Sequence, residues 1–171
     1  MFRLPYKVNG FTLIEIMVVI VIIGVILSFA TLSIGDGGQA RQLKQETQRL
    51  ASLLKLASQE AIMQAKEMGI FFETDGYRFC VWQEQKCQIL TARDDIFRPR
   101  TLPLGIQTEI RLESEPITLN DAKKNTPQLL LLSSGEVIPP FEVIFTAESD
   151  ETLRYRLTGT AMGEMSIQKD E

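Results

Sequence analysis

The sequence predicts an α+β fold: a long N-terminal helix, first membrane-spanning and then amphipathic, packed on an antiparallel β domain. Three observations predict it. Residues 16–35 carry no charge at all. Apolar side chains then recur at three- and four-residue steps from Leu43 to Met68. From residue 70 onward, short β-rich runs alternate with turn signals.

The N-terminal ten residues hold Arg3 and Lys7 and no acid. The charge-free run behind them would extend roughly 30 Å as a helix, the thickness of a bilayer's hydrocarbon core. Arg3 and Lys7 keep the short end in the cytoplasm by the positive-inside rule, and the rest of the chain is translocated. A secretory signal peptide is the competing reading. Arg3 and Lys7 would be its basic region, and Ser28-Phe29-Ala30 its small-x-small site, cut before Thr31. The apolar run is longer than the usual core of about 7–15 residues. It also carries Glu15, and a carboxylate in a membrane helix costs about 2–3 kcal/mol at the centre, less near an end.

Ser33-Ile34-Gly35-Asp36-Gly37-Gly38 interrupts the apolar run. Glycine lowers helix propensity by about 1 kcal/mol per residue, so a kink, an unwinding or a hinge is expected there. The amphipathic stripe that follows is Leu43, Thr47, Leu50, Leu54, Ala57, Ala61, Ala65 and Met68. Arg41, Lys44, Arg49, Lys55, Glu60, Lys66 and Glu67 lie mostly off it, so the stripe should pack on a sheet. Gly69 is the expected C-cap. This divides the chain into 1–10, 11–35, 36–69 and 70–171.

Beyond Gly69 the period becomes two. Residues 70–73 and 77–82 flank Thr74-Asp75-Gly76, a hairpin signal. Residues 87–90 extend it, and 106–112 alternate as another strand. Residues 129–132, a turn at Ser133-Ser134-Gly135-Glu136 and residues 137–138 follow, then an interruption at Pro139-Pro140. Strands at 141–146, 153–157 and 165–168 complete the domain, with a turn at 159–163. There is no internal repeat.

Composition narrows the function classes. A length of 171 residues suits one domain with an appendage. The 18 Lys+Arg against 22 Asp+Glu leave a net charge of −4, so bulk electrostatics does not hold the chain to nucleic acid. There is no histidine, which removes Ser-His-Asp and Cys-His catalysis and every His-ligated metal site. Two cysteines cannot build a four-cysteine zinc site. No catalytic residue, cofactor or metal is expected. Cys80 and Cys87 fit a hairpin disulfide in an oxidising compartment, against two free thiols. Asp94-Asp95 and Glu148-Ser149-Asp150-Glu151 read as solvated turns rather than a calcium loop, because they lack alternating ligand spacing. Arg93, Arg98 and Arg100 surround Phe97 and have acids beside them.

Gly10-Phe11-Thr12-Leu13-Ile14-Glu15 resembles the class III signal of type IV pilins and type II secretion pseudopilins: a short basic leader ending in Gly, then Phe-Thr-Leu-[Ile/Leu]-Glu opening an apolar helix. The resemblance implies a type IV pilin-like fold, cleavage by prepilin peptidase between Gly10 and Phe11, and N-methylation of Phe11. It makes Glu15 the fifth mature residue. A new cationic amine beside lipid would sit about one helical turn from Glu15. In a filament, the carboxylate of one subunit can neutralise the amine of its neighbour and so select the axial register.

Further pieces resemble the H-type minor pseudopilin of type II secretion. They are Gly69-Ile70-Phe71-Phe72 before Asp75-Gly76-Tyr77-Arg78-Phe79, the run from Phe97 to Ile106, the run from Pro127 to Glu136 with Pro140-Phe141-Glu142, and Arg156-Leu157-Thr158-Gly159 with Gly163. That resemblance implies a structural subunit near the tip of a short periplasmic filament that helps drive folded exoproteins across the outer membrane. It implies as partners the I, J and K minor subunits, the G major subunit, prepilin peptidase, the inner-membrane secretion platform and, before assembly, membrane lipid. The chain would be single-pass in the bacterial inner membrane, N-terminus cytoplasmic and C-terminal domain periplasmic. The alternative is a minor type IV pilin that binds DNA during natural transformation. That role needs a basic surface toward the C-terminus, whereas the chain ends Gln168-Lys169-Asp170-Glu171, and loss of Arg3 and Lys7 takes the net charge from −4 to −6. A membrane-anchored periplasmic enzyme would need a nucleophile–base pair that is not visible.

Overall fold

The computed structural model describes residues 12–32, 37–90, 96–119 and 126–170. The expectations at Gly10, Phe11, Arg93, Asp94 and Asp95, and the helix break at 33–36, fall outside these residues. The chain divides into two compact units between Gly38 and Gln39.

The first unit contains helix α1 (Leu13–Leu32). Its side chains from 12 to 26 are all exposed, although the helix is apolar on every side. A helix of that kind needs lipid or other protein around it.

The second unit begins just inside helix α2 (Gly37–Gln64). Leu43, Thr47, Leu50, Leu54, Ala57 and Ala61 are fully buried, as the stripe predicts. The Thr47 hydroxyl donates to the Leu43 carbonyl at 2.8 Å, so the one buried hydroxyl of the stripe is satisfied within its own helix. The helix stops at Gln64, short of Gly69. Ala65 takes a left-handed φ of 50°. The Lys66 amide then donates to the Ala61 carbonyl at 3.1 Å, the six-to-one bond that closes a helix end. Ala65 is therefore exposed, and Met68 and Gly69 belong to the first strand.

The strands follow as β1 (Glu67–Glu73), β2 (Gly76–Gln83), β3 (Lys86–Ile89), β4 (Arg100–Thr101), β5 (Ile106–Leu112) and β6 (Glu115–Pro116). After them come β7 (Leu129–Leu131), β8 (Val137–Ile138), β9 (Phe141–Ala147), β10 (Asp150–Gly159) and β11 (Met165–Asp170). They form two antiparallel sheets. The first runs β3-β2-β1-β7-β8 with β4 beside β2, and the second runs β11-β10-β9-β5-β6. The β1–β2 hairpin turns at Thr74-Asp75, with Glu73 opposite Gly76. The Pro139-Pro140 pair marks the crossing between sheets: β8 ends the first and β9 enters the second beside β5. One hydrophobic cluster joins α2 to both sheets, with Ile70, Phe72, Phe79, Leu129 and Leu131 from the first and Ile110, Phe141, Val143, Phe145 and Leu157 from the second.

Two close approaches explain glycines. A Cβ at Gly69 would lie 2.7 Å from the Cys80 Sγ and from the Pro127 ring. A Cβ at Gly159 would fall on the ring of buried Phe141. Beyond β1, the Gln128 side chain acts as a short length of strand. Its Oε1 accepts from the Phe72 amide at 3.0 Å, and its Nε2 donates to the Phe72 carbonyl at 3.1 Å.

Candidate assembly surfaces

The residues singled out by the sequence fall in separate elements. Glu15 stands in the first turn of α1 and is exposed. Its amide donates to the Thr12 carbonyl at 3.1 Å and lies 3.4 Å from the Thr12 hydroxyl oxygen. Thr12 is thus the N-cap and Glu15 the third helical residue, the Thr-x-x-Glu spacing of a capping box. Thr12 is a residue the sequence reading passed over. Its signal was in plain view, because Thr12 and Glu15 stand three apart directly before an apolar run. Glu15 thus stands at a helix N-terminus, where a carboxylate is favoured by the helix dipole.

Helix α1 is 20 residues long, roughly 30 Å at 1.5 Å per residue. Its side chains are described only as far as Ile26. Over the described residues, no helix is long and apolar enough to cross a membrane.

Cys80 and Cys87 are joined in a disulfide, with Cα atoms 5.5 Å apart. They sit diagonally in the β2–β3 hairpin, since Cys80 faces Ile89 and Cys87 faces Trp82. The hairpin turn puts Glu84 at φ 51° and Gln85 at φ 60°, both left-handed and neither a glycine. Such residues cost about 1–2 kcal/mol each, so the crosslink holds a turn that its own sequence disfavours. Closing a loop of about eight residues is worth about 2.5 kcal/mol in the chain-entropy model. Replacing both cysteines by serine is expected to lower unfolding stability by about that amount, read from urea midpoints. Adding Glu84→Asn and Gln85→Gly should recover part of the loss. Unchanged midpoints in the serine variant would show that the crosslink contributes nothing.

A buried polar group lies between α2 and the first sheet. Glu46 is buried and pairs with Arg49 at 2.6 Å. Tyr77 is buried, and its hydroxyl has no hydrogen-bond partner among the described residues. Burial, and then the Glu46 charge, push the Tyr77 hydroxyl up to about 12, against the opposing pull of Arg49 and Arg100. An unfolded tyrosine ionises near 10. The folded pKa lies above the unfolded one, so the stabilisation is complete below about pH 10 and is lost as pH rises toward 12. Urea midpoints should fall over that window in the native chain and fall less in Tyr77→Phe. Equal falls in the two would exclude Tyr77 as the cause.

The remaining candidates separate. Arg98 is exposed, while Arg100 turns back to donate to the Ile96 carbonyl at 3.2 Å. Phe97 is buried against Phe79, with ring centroids 5.3 Å apart. Glu148 and Ser149 form the β9–β10 turn. Asp150 accepts from the Thr152 hydroxyl at 2.6 Å and the Thr152 amide at 2.9 Å, which lowers its pKa. Ser134 donates to Glu136 at 3.0 Å in the turn before β8. Among the described residues, no three cysteine or carboxylate side chains converge as metal ligands.

The family model described as type II transport protein GspH matches residues 46–163, from the buried part of α2 to the turn before β11. The model of the prokaryotic N-terminal methylation motif matches residues 6–31. The type II secretion system protein H of Pseudomonas aeruginosa is 39% identical over 77% of this chain and 79% of its own length. That of Aeromonas hydrophila is 30% identical over 97% and 96%. Among solved structures, two of the minor pseudopilin EpsH from the type II secretion system of Vibrio cholerae share the fold. One has a TM-score of 0.62 at 24% identity, covering 75% of this chain and 97% of that one. The other has a TM-score of 0.64 at 21% identity, covering 77% and 98%.

Proposed function

This chain belongs to the type II transport protein GspH family, and from that membership we propose that it works as a minor pseudopilin: a structural subunit near the tip of a periplasmic filament that helps drive folded proteins across the outer membrane. The observation that carries the reading is the presence of both matches on one chain, the methylation motif at 6–31 and the secretion family at 46–163.

On this reading residues 1–10 are a leader. Prepilin peptidase removes it between Gly10 and Phe11 and methylates Phe11. Residues 11–35 span the inner membrane, which gives exposed α1 its apolar surroundings. The amphipathic helix and the β domain stand in the periplasm, where the Cys80–Cys87 crosslink is stable. The chain is a substrate of the peptidase rather than an enzyme. Assembly moves α1 out of lipid and against the helices of other pseudopilins, the I, J and K minor subunits and the G major subunit, while the secretion platform supplies the work. The relatives lend no support to DNA binding during transformation.

The test is the intact mass and N-terminal residue of membrane-extracted protein, with and without prepilin peptidase. An N-methylated Phe11 that depends on the peptidase is expected. An N-terminus at Thr31 would mean an ordinary signal peptide and would end the filament reading.

A further inference from the structure

The second sheet ends in a strand, β11, whose outer edge pairs with no other strand among the described residues. β11 pairs with β10 in unbroken register from Gly159–Met165 to Arg154–Asp170, and among the described residues no strand lies on its other side. Exposed strand edges are usually kept short or blocked by proline, bulges or inward charges. The other edge strands follow that rule: β3 has four residues, and β6 and β8 have two each. β11 has six residues and no proline or bulge, and its charges, Lys169 and Asp170, stand together at its C-terminal end, which leaves Met165–Gln168 uncharged.

Beside this edge lies an open trough of about 830 Å³ between α2 and the β10–β11 hairpin. Its floor is apolar, made by Ala51, Leu157, Met165 and Ile167. Ile167 is a β-branched side chain left 39% exposed on the inward face of the sheet, opposite buried Leu157. The helix wall is Gln48, Ser52 and Lys55. Helical spacing puts Lys44 one turn before Gln48, and Arg41 one turn before that, on the same face. All three cations are exposed, and none is in an ion pair among the described residues. The acid on the trough is Glu164, at its end. Lys55 on the wall and Lys44 and Arg41 further along the same helix face thus make a cationic stripe in a chain whose net charge is −4.

We propose that β11 is a docking edge for an extended acidic segment of a partner protein, which adds as a further strand to the second sheet. Its backbone would take the free amides and carbonyls of β11. Alternate apolar side chains would drop onto Ala51, Met165 and Ile167, and carboxylates would meet Lys55 and Lys44. This is strand addition, with hydrogen bonds supplying affinity and alternate side chains supplying selectivity. An apolar floor suits a peptide better than a phosphate backbone, which needs a polar bed along its length. The inference rests on α2 and the second sheet and stands apart from the filament reading.

The test uses the full chain in detergent micelles and the fluorescein-labelled peptide acetyl-Glu-Val-Glu-Leu-Glu-Val-Glu-amide, followed by anisotropy. Saturable binding is expected. Lys55→Glu should weaken it about tenfold, and a peptide with lysine in place of glutamate should prefer that variant. N-methylation of the peptide amides along one edge should abolish binding, and along the other leave it intact. Ile167→Asp, at an exposed position, should also lose binding while near-ultraviolet circular dichroism stays native. No binding, or binding indifferent to N-methylation, would overturn the proposal. So would displacement of the peptide by a short DNA duplex at lower concentration than by unlabelled peptide, or a sedimenting dimer of the chain that Ile167→Asp dissociates.

Discussion

Chains carrying Glu15→Leu are expected to be cut after Gly10 as usual and then to fail in assembly. In the proposed filament, Glu15 neutralises the amine of a neighbouring Phe11 away from water. Losing one partner leaves a charge unpaired in an apolar place, at a cost of about 2–3 kcal/mol. That is a factor of roughly 30–150 in incorporation. The structure adds a competing role, because Glu15 is also the third residue of a helix capped by Thr12. Glutamine keeps the capping-box position and drops the charge. Glu15→Gln should therefore be processed normally and assemble as poorly as Glu15→Leu. The readouts are the N-terminal mass, the crosslinked filament fraction and the yield of secreted protein. Full assembly of Glu15→Gln would assign the residue to capping and remove the register mechanism.

Phe79→Ala is the substitution expected to cost most in the β domain. Phe79 is fully buried at the middle of β2. It meets Tyr77 edge-on at 6.0 Å and Phe97 at 5.3 Å between ring centroids. Truncating a buried phenylalanine typically costs about 3–5 kcal/mol, lost transfer free energy plus the cavity left behind. Domain stabilities are about 5–15 kcal/mol, so a large part of the total would go. Urea unfolding followed by Trp82 fluorescence reads the loss. A midpoint within error of the native chain would mean that the core refills the site. Phe79→Leu should recover more than half, since most of the volume returns.

Sequence patterning reached different depths in different elements. On α2 the three- and four-residue recurrence singled out the buried face, because a helix repeats its contacts every turn. The Gly69 stop failed for a local reason: Ala65 adopts the left-handed cap conformation that glycine usually supplies. β4 and β6 are two residues long and carry no period. The Asp75-Gly76 hairpin was legible because its turn chemistry is local. The capping role of Thr12 was equally local. The trough beside β11 was not legible, because Ala51 and Ile167 lie far apart in the chain and only packing brings them to one place.

The N-terminal motif, the apolar span, the amphipathic face and the succession of the longer strands were all determined by the sequence itself. Each depends on neighbours within a turn or two, where spacing dictates geometry. Tertiary structure alone decided how the strands divide into two sheets, that Pro139-Pro140 is a crossing between them, and that, among the described residues, β11 is left as an open edge. Those features rest on pairings between distant segments. Many registers satisfy the same alternation, and the one adopted is the one that closes a common core around α2.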